Sequence, residues 1–224
     1  MLAQDLPAAL DTLPADWAAV LPGWTAQRRA EVAQRVQAAS GARPIAPEDP
    51  LRALRRVAPD AVKVVIIGQD PYPTAGHADG LAFSAGQGRP VSLRRVFAVL
   101  AADRPGFVPP PRWALDAWAA QGVLLLNPVL TVEVGAIGSH LACGWQSLTS
   151  DIVEALCRRP GPPTFLLWGS KAQAFFDEAC PAGASVPALR TRHPSNDFQR
   201  RFMAEGSHFA ATADLVDWWS IGDA

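Results

Sequence analysis

The sequence predicts an α/β protein in which helices cover both faces of a mainly parallel sheet. Three continuous apolar runs, 64–67, 123–126 and 164–168, have the composition of strands that are buried on both faces. Segments with helical spacing separate these runs, and strands that alternate with helices form parallel sheets.

The elements can be placed in order along the chain. Prolines punctuate the first 50 residues, and between them Thr25 can cap a helix in which Val32 and Val36 lie four residues apart. Farther along, Ser92 can cap a helix and Gly122 can end one. We predict extended segments at 45–49 and 188–192, and helices over 25–39, 50–57, 92–102, 112–121, 147–159, 171–179 and 211–219.

Length and composition indicate an ordinary globular protein. The 224 residues are 49% hydrophobic and 18% charged, which is enough for a sizeable core. We expect one domain over residues 1–224, with an N-terminal helical extension over about residues 1–47. The formal net charge of −1 gives no global positive field, so any DNA-binding surface must be a local patch.

Cysteine usage and the N-terminus indicate the compartment. Cys143, Cys157 and Cys180 are odd in number and include no Cys-x-x-Cys pair, so neither a disulfide framework nor a zinc or iron–sulfur site is indicated. They are typical of small apolar residues in a reducing compartment. The sequence shows no signal peptide and no apolar run of membrane-spanning length. We therefore expect a cytoplasmic protein without a metal or a membrane partner.

Polar residues follow every predicted strand. Gln69 and Asp70 come after the first strand, Asn127 after the second, Ser170 after the third and His193 after the last extended segment. Taken singly, each has an ordinary explanation as a turn residue, a helix start or a buried histidine. The carboxyl ends of strands in α/β sheets are where ligands bind, so together these residues predict an active site.

The residues at these strand ends limit the chemistry. They supply a carboxylate, an imidazole and amides, without a serine or cysteine elbow for covalent catalysis. The segment 169–171, Gly-Ser-Lys, is similar to the end of a phosphate-binding loop, but the earlier glycine of that motif is absent. A nucleotide triphosphatase is therefore weakly supported. The helix start at Ser170 can still hold one phosphate through its free N–H groups.

Four blocks resemble the defining motifs of the family 1 uracil-DNA glycosylases, the UNG type. They occur in that family's order and read GQDPY…GLAFS, GVLLLN-x-VLTV, FLLWGS-x-AQ and HPS. The resemblance covers roughly residues 48–218. It implies a three-layer α/β/α fold with a central, mainly parallel four-stranded sheet, and hydrolysis of the N-glycosidic bond of deoxyuridine in DNA. The products would be free uracil and an abasic site for base excision repair, and no cofactor is implied.

The resemblance also assigns roles within the uracil pocket. Asp70 would position the attacking water and stabilise the sugar cation, and His193 would act as a neutral donor to uracil O2. Asn127 would pair with uracil O4 and N3–H, assisted by the backbone of Gln69. Two aromatic residues complete the implied pocket: Phe83 would stack on the flipped base, and Tyr72 would exclude the methyl group of thymine.

Several positions match residues that grip DNA phosphates in this family. Such contacts need only hydroxyl and backbone N–H groups, and they position DNA without reading its sequence. The matched positions are Ser92, Gly169, Ser170, Pro194 and Ser195.

The chain departs from the family pattern at two places. Pro73 replaces the usual histidine after Tyr72, which removes a side-chain donor and stiffens the loop. In the second departure, the family's HPSPLS loop inserts its leucine into DNA, whereas gapless matching puts Asp197 in that position. We expect base extrusion to work differently here, with a smaller preference for duplex DNA. Residues that could serve instead are Phe198 as the wedge, and Arg200 and Arg201 as contacts to the strand.

The resemblance implies a partner and leaves alternatives open. The expected partner is uracil-containing DNA, single- or double-stranded, bound by a monomer. A carboxylate in the leucine position also predicts weak binding of the phage-encoded inhibitor protein, which receives that leucine in an apolar pocket. The alternatives are a non-catalytic or slow uracil-DNA binding module and a small-molecule α/β hydrolase. The combination of Asp70, Asn127 and His193 argues against both.

Overall fold

The computed structural model describes residues 6–197, 199 and 201–221. Phe198 and Arg200 lie outside the described residues. The strands are β1 (Ile45–Ala46), β2 (Val64–Ile67), β3 (Val123–Leu126), β4 (Val132–Glu133), β5 (Thr164–Trp168) and β6 (Ala188–Thr191). The helices are α1 (Leu6–Asp11), α2 (Ala15–Val20), α3 (Ala26–Ala39), α4 (Arg52–Arg56), α5 (Val91–Asp103), α6 (Asp116–Ala119), α7 (Gln146–Arg158), α8 (Ser170–Ala179) and α9 (His208–Ala211), with 3₁₀ turns at Pro59–Ala61 and Pro194–Asn196.

Four strands form the central parallel sheet, in the order β3-β2-β5-β6. All four residues of β2 and of β3 are at most 1% exposed, because helices flank the sheet and cover these strands. The predicted α/β fold with a four-stranded central sheet is therefore confirmed. A separate antiparallel pair joins β1 to β4.

The register of the sheet aligns the ends of its strands. Ile67 at the end of β2 pairs with Leu126 of β3 and with Leu167 of β5. The N–H of Gly68 then donates to the carbonyl oxygen of Leu126 at 2.9 Å. The polar residues that come after these strands consequently meet at the same edge of the sheet.

Most predicted elements are present, and Thr25 accepts a capping hydrogen bond from the N–H of Arg28, as expected. The segments that differ from the prediction lie where tryptophans pack. The helix predicted over 211–219 is replaced by the short α9 and a series of turns. In these turns Trp218 packs edge-on against Trp118, with ring centroids 5.0 Å apart, and its indole N–H donates to Thr212 Oγ1. Tertiary packing overrides helical spacing at this position.

Three further segments differ from the prediction. The helix predicted over 112–121 is reduced to α6, because Trp113 packs edge-on against Phe97, with ring centroids 5.1 Å apart, instead of joining a helix. The N-cap of α5 is Pro90, and the Ser92 hydroxyl is used elsewhere. Helices α1 and α2, which are six residues each, lie in the predicted N-terminal helical extension, although their bounds were not predicted. No helix in the described part of the chain is long and apolar enough to cross a membrane.

Candidate active site

A cavity of about 190 Å³ opens at the carboxyl ends of the sheet strands, and we call it the strand-end cavity. Residues that come after β2, β3 and β6 line it, as the sequence predicted. Its polar and aromatic lining comprises Gln69, Asp70, Tyr72, Phe83, Ser84, Ser92, Asn127, His193 and Ser195. Residues as distant along the chain as Gln69 and Ser195 thus meet in one concave site.

The amide of Asn127 occupies space that a glycine leaves open. A Cβ atom on Gly68 would lie 2.1 Å from Asn127 Oδ1 and 3.1 Å from the Cβ atom of Ala82. Asn127 is 9% exposed, and its amide has no hydrogen-bond partner among the described residues. A nearly buried amide without a partner can pair with a ligand that enters the cavity.

Tyr72 fixes the aromatic wall of the cavity. Its hydroxyl donates to the carbonyl oxygen of Phe83 at 2.9 Å and lies 2.7 Å from Ser92 Oγ. A phenol has a single proton, so the Ser92 hydroxyl donates to Tyr72. Burial raises the pKa of Tyr72, which keeps this proton in place.

The ring of Phe83 is held from two sides. Phe83 has a left-handed backbone with φ of 64°, a conformation that is strained for a bulky residue. Its ring centroid lies 5.0 Å from that of Trp168 and 5.7 Å from that of His193. The ring thus lines the strand-end cavity between two aromatic neighbours.

His193 carries its proton on the nitrogen that is free to face a ligand. The N–H of Ser195 donates to His193 Nδ1 at 3.1 Å, so Nδ1 is an acceptor and the neutral ring carries its proton on Nε2. Burial and, to a smaller extent, the Lys171 ammonium lower the pKa of His193. Gly169 permits the close approach, because a Cβ atom there would lie 2.8 Å from the Cβ atom of His193.

Asp70 is a half-buried carboxyl beside a cation and a backbone donor. Burial raises the pKa of Asp70, and this effect is opposed by the Lys171 ammonium and by a hydrogen bond from the backbone N–H of Gly138. Sequence reasoning found neither Lys171 nor Gly138 as a site residue. The glycines at 135 and 138, both with positive φ, mark the tight loop that delivers the N–H to Asp70.

A second cavity of about 530 Å³ lies on the other side of His193, and we call it the basic cavity. Three of its lining residues are arginines, and the exposed Ser170 begins α8 at its wall. Among the predicted DNA contacts, Gly169, Ser170 and Arg201 line this cavity. The further lining residues are Gln173, Arg190, Thr191, Arg192, His193, Ala204 and Glu205.

Asp197, which gapless matching puts in the leucine position, faces inward. Its side chain is 5% exposed and forms an ion pair with Arg95 of α5, and its Oδ1 accepts from the N–H of Phe202 at 2.8 Å. The carboxylate therefore faces the protein interior in this structure, and a contact of Asp197 with DNA stays a prediction. The reason is that Arg95 compensates a buried charge that would otherwise be costly.

The remaining predicted phosphate contacts differ in exposure. Ser195 is exposed at the mouth of the strand-end cavity, whereas Pro194 is buried. Ser92 is 2% exposed, and its hydroxyl lies 2.7 Å from the Tyr72 hydroxyl, so a phosphate contact of Ser92 stays a prediction. In the described part of the chain, no three His, Cys, Asp or Glu side chains are grouped to hold a metal ion.

Comparisons with known proteins agree with this geometry. The sequence profile of the uracil DNA glycosylase superfamily matches residues 55–216. The uracil-DNA glycosylase of Bordetella parapertussis is 44% identical over 203 residues, which cover 88% of this chain and 78% of that protein. The uracil-DNA glycosylase of varicella-zoster virus is 50% identical over 171 residues, which cover 73% of this chain and 55% of that protein.

Solved structures share the fold at lower identity. The mimivirus uracil-DNA glycosylase has a TM-score of 0.72 at 23% identity, covering 85% of this chain and 74% of that one. The UNG of Nitratifractor salsuginis has a TM-score of 0.59 at 22% identity, covering 85% of this chain and 87% of that one. With the family profile covering residues 55–216, the chain belongs to the uracil-DNA glycosylase superfamily.

Proposed function

We propose that this protein is a monofunctional uracil-DNA glycosylase that hydrolyses the N-glycosidic bond of deoxyuridine in DNA. The observation that carries the proposal is the convergence of three groups in the strand-end cavity: the Asp70 carboxyl, the Nε2–H of a neutral His193 and the amide of Asn127, which has no partner among the described residues. Curated relatives at 44% identity with the same activity support it.

The two ionisable groups suit a dissociative cleavage. Breaking the bond leaves positive charge on the deoxyribose and negative charge on the departing uracil. Asp70, as a carboxylate, stabilises the sugar cation and orients the water whose oxygen adds to C1′. His193 donates its Nε2 hydrogen bond to uracil O2, where the leaving anion carries charge. Preorganised groups of this kind stabilise the transition state electrostatically.

Four residues hold and select uracil. The Asn127 amide pairs with O4 and N3–H, whereas cytosine presents the opposite pattern, and each mismatched buried polar group costs about 1–3 kcal/mol. Phe83 stacks on the flipped ring, and the backbone of Gln69 assists in fixing the base. Tyr72 occupies the space beside uracil C5, so the methyl group of thymine is excluded.

The basic cavity provides a path for the DNA backbone. Ser170, Arg192 and Arg201 line it, and Ser195 lies at the mouth of the neighbouring strand-end cavity. Hydroxyl and guanidinium groups hold phosphates without reading sequence. The arginines in this cavity can therefore attract the DNA phosphates locally, although the formal net charge of the chain is −1.

We propose, on the resemblance of its four motifs, that the chain belongs to the family 1 (UNG) branch, within which two loops distinguish it. Pro73 offers no side-chain donor, and its carbonyl oxygen accepts from the N–H of Gly135 at 2.8 Å. The inward-facing Asp197 leaves no apolar side chain at the leucine position. We propose that the protein acts as a cytoplasmic monomer and prefers duplex over single-stranded DNA less strongly than relatives that carry the leucine.

One assay tests the reaction. The protein is incubated with single-stranded and duplex oligonucleotides that contain one deoxyuridine, and the products are treated with alkali. We expect alkali-labile abasic sites with the unmodified protein and a loss of at least about a hundredfold in rate for Asp70→Asn. Tight binding of uracil DNA without release of uracil would instead indicate a binding module.

The same assay tests the altered loop. If base extrusion depends on the segment after His193, Phe198→Ala and Arg201→Ala should lower the rate on duplex DNA more than on single strands. Unchanged rates for both variants on both substrates would rule out that dependence.

A further inference from the structure

Ile137 is an exposed apolar side chain at the entrance to the candidate active site. It is 83% exposed and lines the mouth of the strand-end cavity. Other large apolar residues are also exposed, such as Val108 at 79%, but Val108 does not line the strand-end or the basic cavity. A single exposed isoleucine is ordinary on a protein surface, so its position at the entrance to the active site is what requires explanation.

The loop that carries Ile137 is tied to its neighbours on both sides. The N–H of Val134 donates to the carbonyl oxygen of Pro44, and that of Gly135 to the carbonyl oxygen of Pro73, each at 2.8 Å. The N–H of Glu133 donates to Ser139 Oγ, also at 2.8 Å. These bonds hold the turn in one conformation, so Ile137 projects from a rigid support.

The residues after Ile137 are equally fixed. The backbone N–H of Gly138 lies close enough to Asp70 to lower the pKa of its carboxyl. His140 is fully buried, with Nδ1 2.9 Å from Thr131 Oγ1 and Nε2 3.0 Å from Ser40 Oγ. A group held in this way loses little conformational freedom when it contacts a ligand, which favours binding.

The two sides of the active site differ in chemistry. On the side of the basic cavity lie arginines such as Arg192 and Arg201. The lining of the strand-end cavity, to which Ile137 belongs, includes the apolar residues Pro50, Pro73 and Ala78. A nucleotide has an anionic phosphate and an apolar base face, so this asymmetry suits phosphates on one side and a base on the other.

We propose that Ile137 is a DNA contact that packs against the base adjoining the flipped deoxyuridine. The proposal rests on the proposed function, because the flipped base defines which nucleotide lies at the cavity mouth. Asp197 faces inward and supplies no apolar contact, whereas Ile137 offers exposed apolar surface at the cavity mouth. Burial of its side chain against the base removes apolar area from water and favours the bound state.

The test compares Ile137→Ala with Val108→Ala, which removes a similarly exposed side chain elsewhere. Uracil release is measured on a long single strand, a duplex and short oligonucleotides that lack the nucleotides on either the 5′ or the 3′ side of deoxyuridine. We expect kcat/KM of Ile137→Ala to fall about tenfold on the long substrates, mainly through KM. The difference from the unmodified protein should vanish on the short substrate that lacks the contacted nucleotide, and Ile137→Leu should restore most of the rate.

Several outcomes would overturn the proposal. They are an unchanged kcat/KM for Ile137→Ala, an equal loss on every substrate, and an equal loss for Val108→Ala. If the unmodified protein releases no uracil, the proposed function fails separately. The same variants are then compared by fluorescence anisotropy with the same labelled oligonucleotides, where weaker binding by Ile137→Ala alone supports the contact and equal binding refutes it.

Discussion

The hydroxyl of Tyr72 donates to the carbonyl oxygen of Phe83 at 2.9 Å and thereby holds an aromatic ring whose backbone is in the left-handed region. The two residues are 11 positions apart. This hydrogen bond joins Tyr72, the wall that limits the size of the base, to Phe83, the wall that stacks on the base. A change in Tyr72 should therefore alter both walls.

Tyr72→Phe tests this link. The variant keeps the ring but leaves the Phe83 carbonyl and the Ser92 hydroxyl without their partner, which should lower the free energy of unfolding by about 1–3 kcal/mol. Because Phe83 loses its restraint, kcat/KM for uracil release should also fall. Urea denaturation and steady-state kinetics measure the two effects, and full activity together with wild-type stability would contradict the link.

Gly68→Ala should damage the site through sterics alone. The added Cβ atom would lie 2.1 Å from Asn127 Oδ1, so the amide must move out of its place in the strand-end cavity. We expect uracil release to fall at least about tenfold, since the displaced amide no longer pairs with the base. Gly86→Ala is the matched control, because its Cβ atom would have contacts of 3.4 Å and its φ is not positive. Equal activity of the two variants would refute this account.

Lys171→Gln should move the acid limb of the pH–rate profile to higher pH. The Lys171 ammonium lowers the pKa of both Asp70 and His193. Activity requires Asp70 ionised and His193 neutral, so it is lost as the pH falls through these two values. Removal of the cation raises both pKa values, and the loss then begins at a higher pH.

The control for this charge change is Arg158→Gln, which removes a cation from the exposed pair with Glu154 on α7. Its profile should coincide with that of the unmodified protein. A shift of the Lys171→Gln profile in the acid direction would contradict the electrostatic argument.

Arg95→Met should destabilise the protein by at least about 2 kcal/mol. The substitution leaves the Asp197 carboxylate, whose side chain is 5% exposed, without its cation. Arg95 itself is 23% exposed, so water screens part of the loss. Urea denaturation should show that Arg95→Met with Asp197→Asn costs less than the sum of the single changes. Strict additivity would show that the pair does not interact.

The phage-encoded inhibitor protein should bind weakly. Its apolar pocket receives a leucine in the family pattern, whereas Asp197 faces Arg95 and fills no such pocket. Titration of uracil release with the inhibitor should therefore require an excess over enzyme. Stoichiometric, tight inhibition would contradict this prediction.

The sequence predicted the strands and the polar residues at their ends because both depend on local patterns. Continuous apolar runs identified β2, β3 and β5, and the parallel arrangement then brought Asp70, Asn127 and His193 to one edge. The resemblance to a known family supplied their proposed roles.

The features that the sequence did not reveal depend on long-range packing. The Asp197 carboxylate faces inward because it pairs with Arg95, which lies 102 residues earlier in the chain. The donor to Asp70 is a backbone N–H, which every non-proline residue has, so Gly138 carried no chemical signal. The exposure of Ile137 likewise results from the shape of its loop, since an isoleucine in a sequence more commonly indicates a core position.

The strands β2, β3 and β5 are paired so that their carboxyl ends align. This alignment limits the positions at which residues can be inserted or deleted. One residue inserted into or deleted from a strand would shift the rest of that strand by about 3.3 Å and would turn alternate side chains to the opposite face. Asp70 would then lose its alignment with Asn127, although the composition of the chain would hardly change. Connections at the amino ends of the strands, such as residues 159–163, carry no such constraint. Length variation that preserves activity should therefore accumulate at the edge of the sheet away from the cavity.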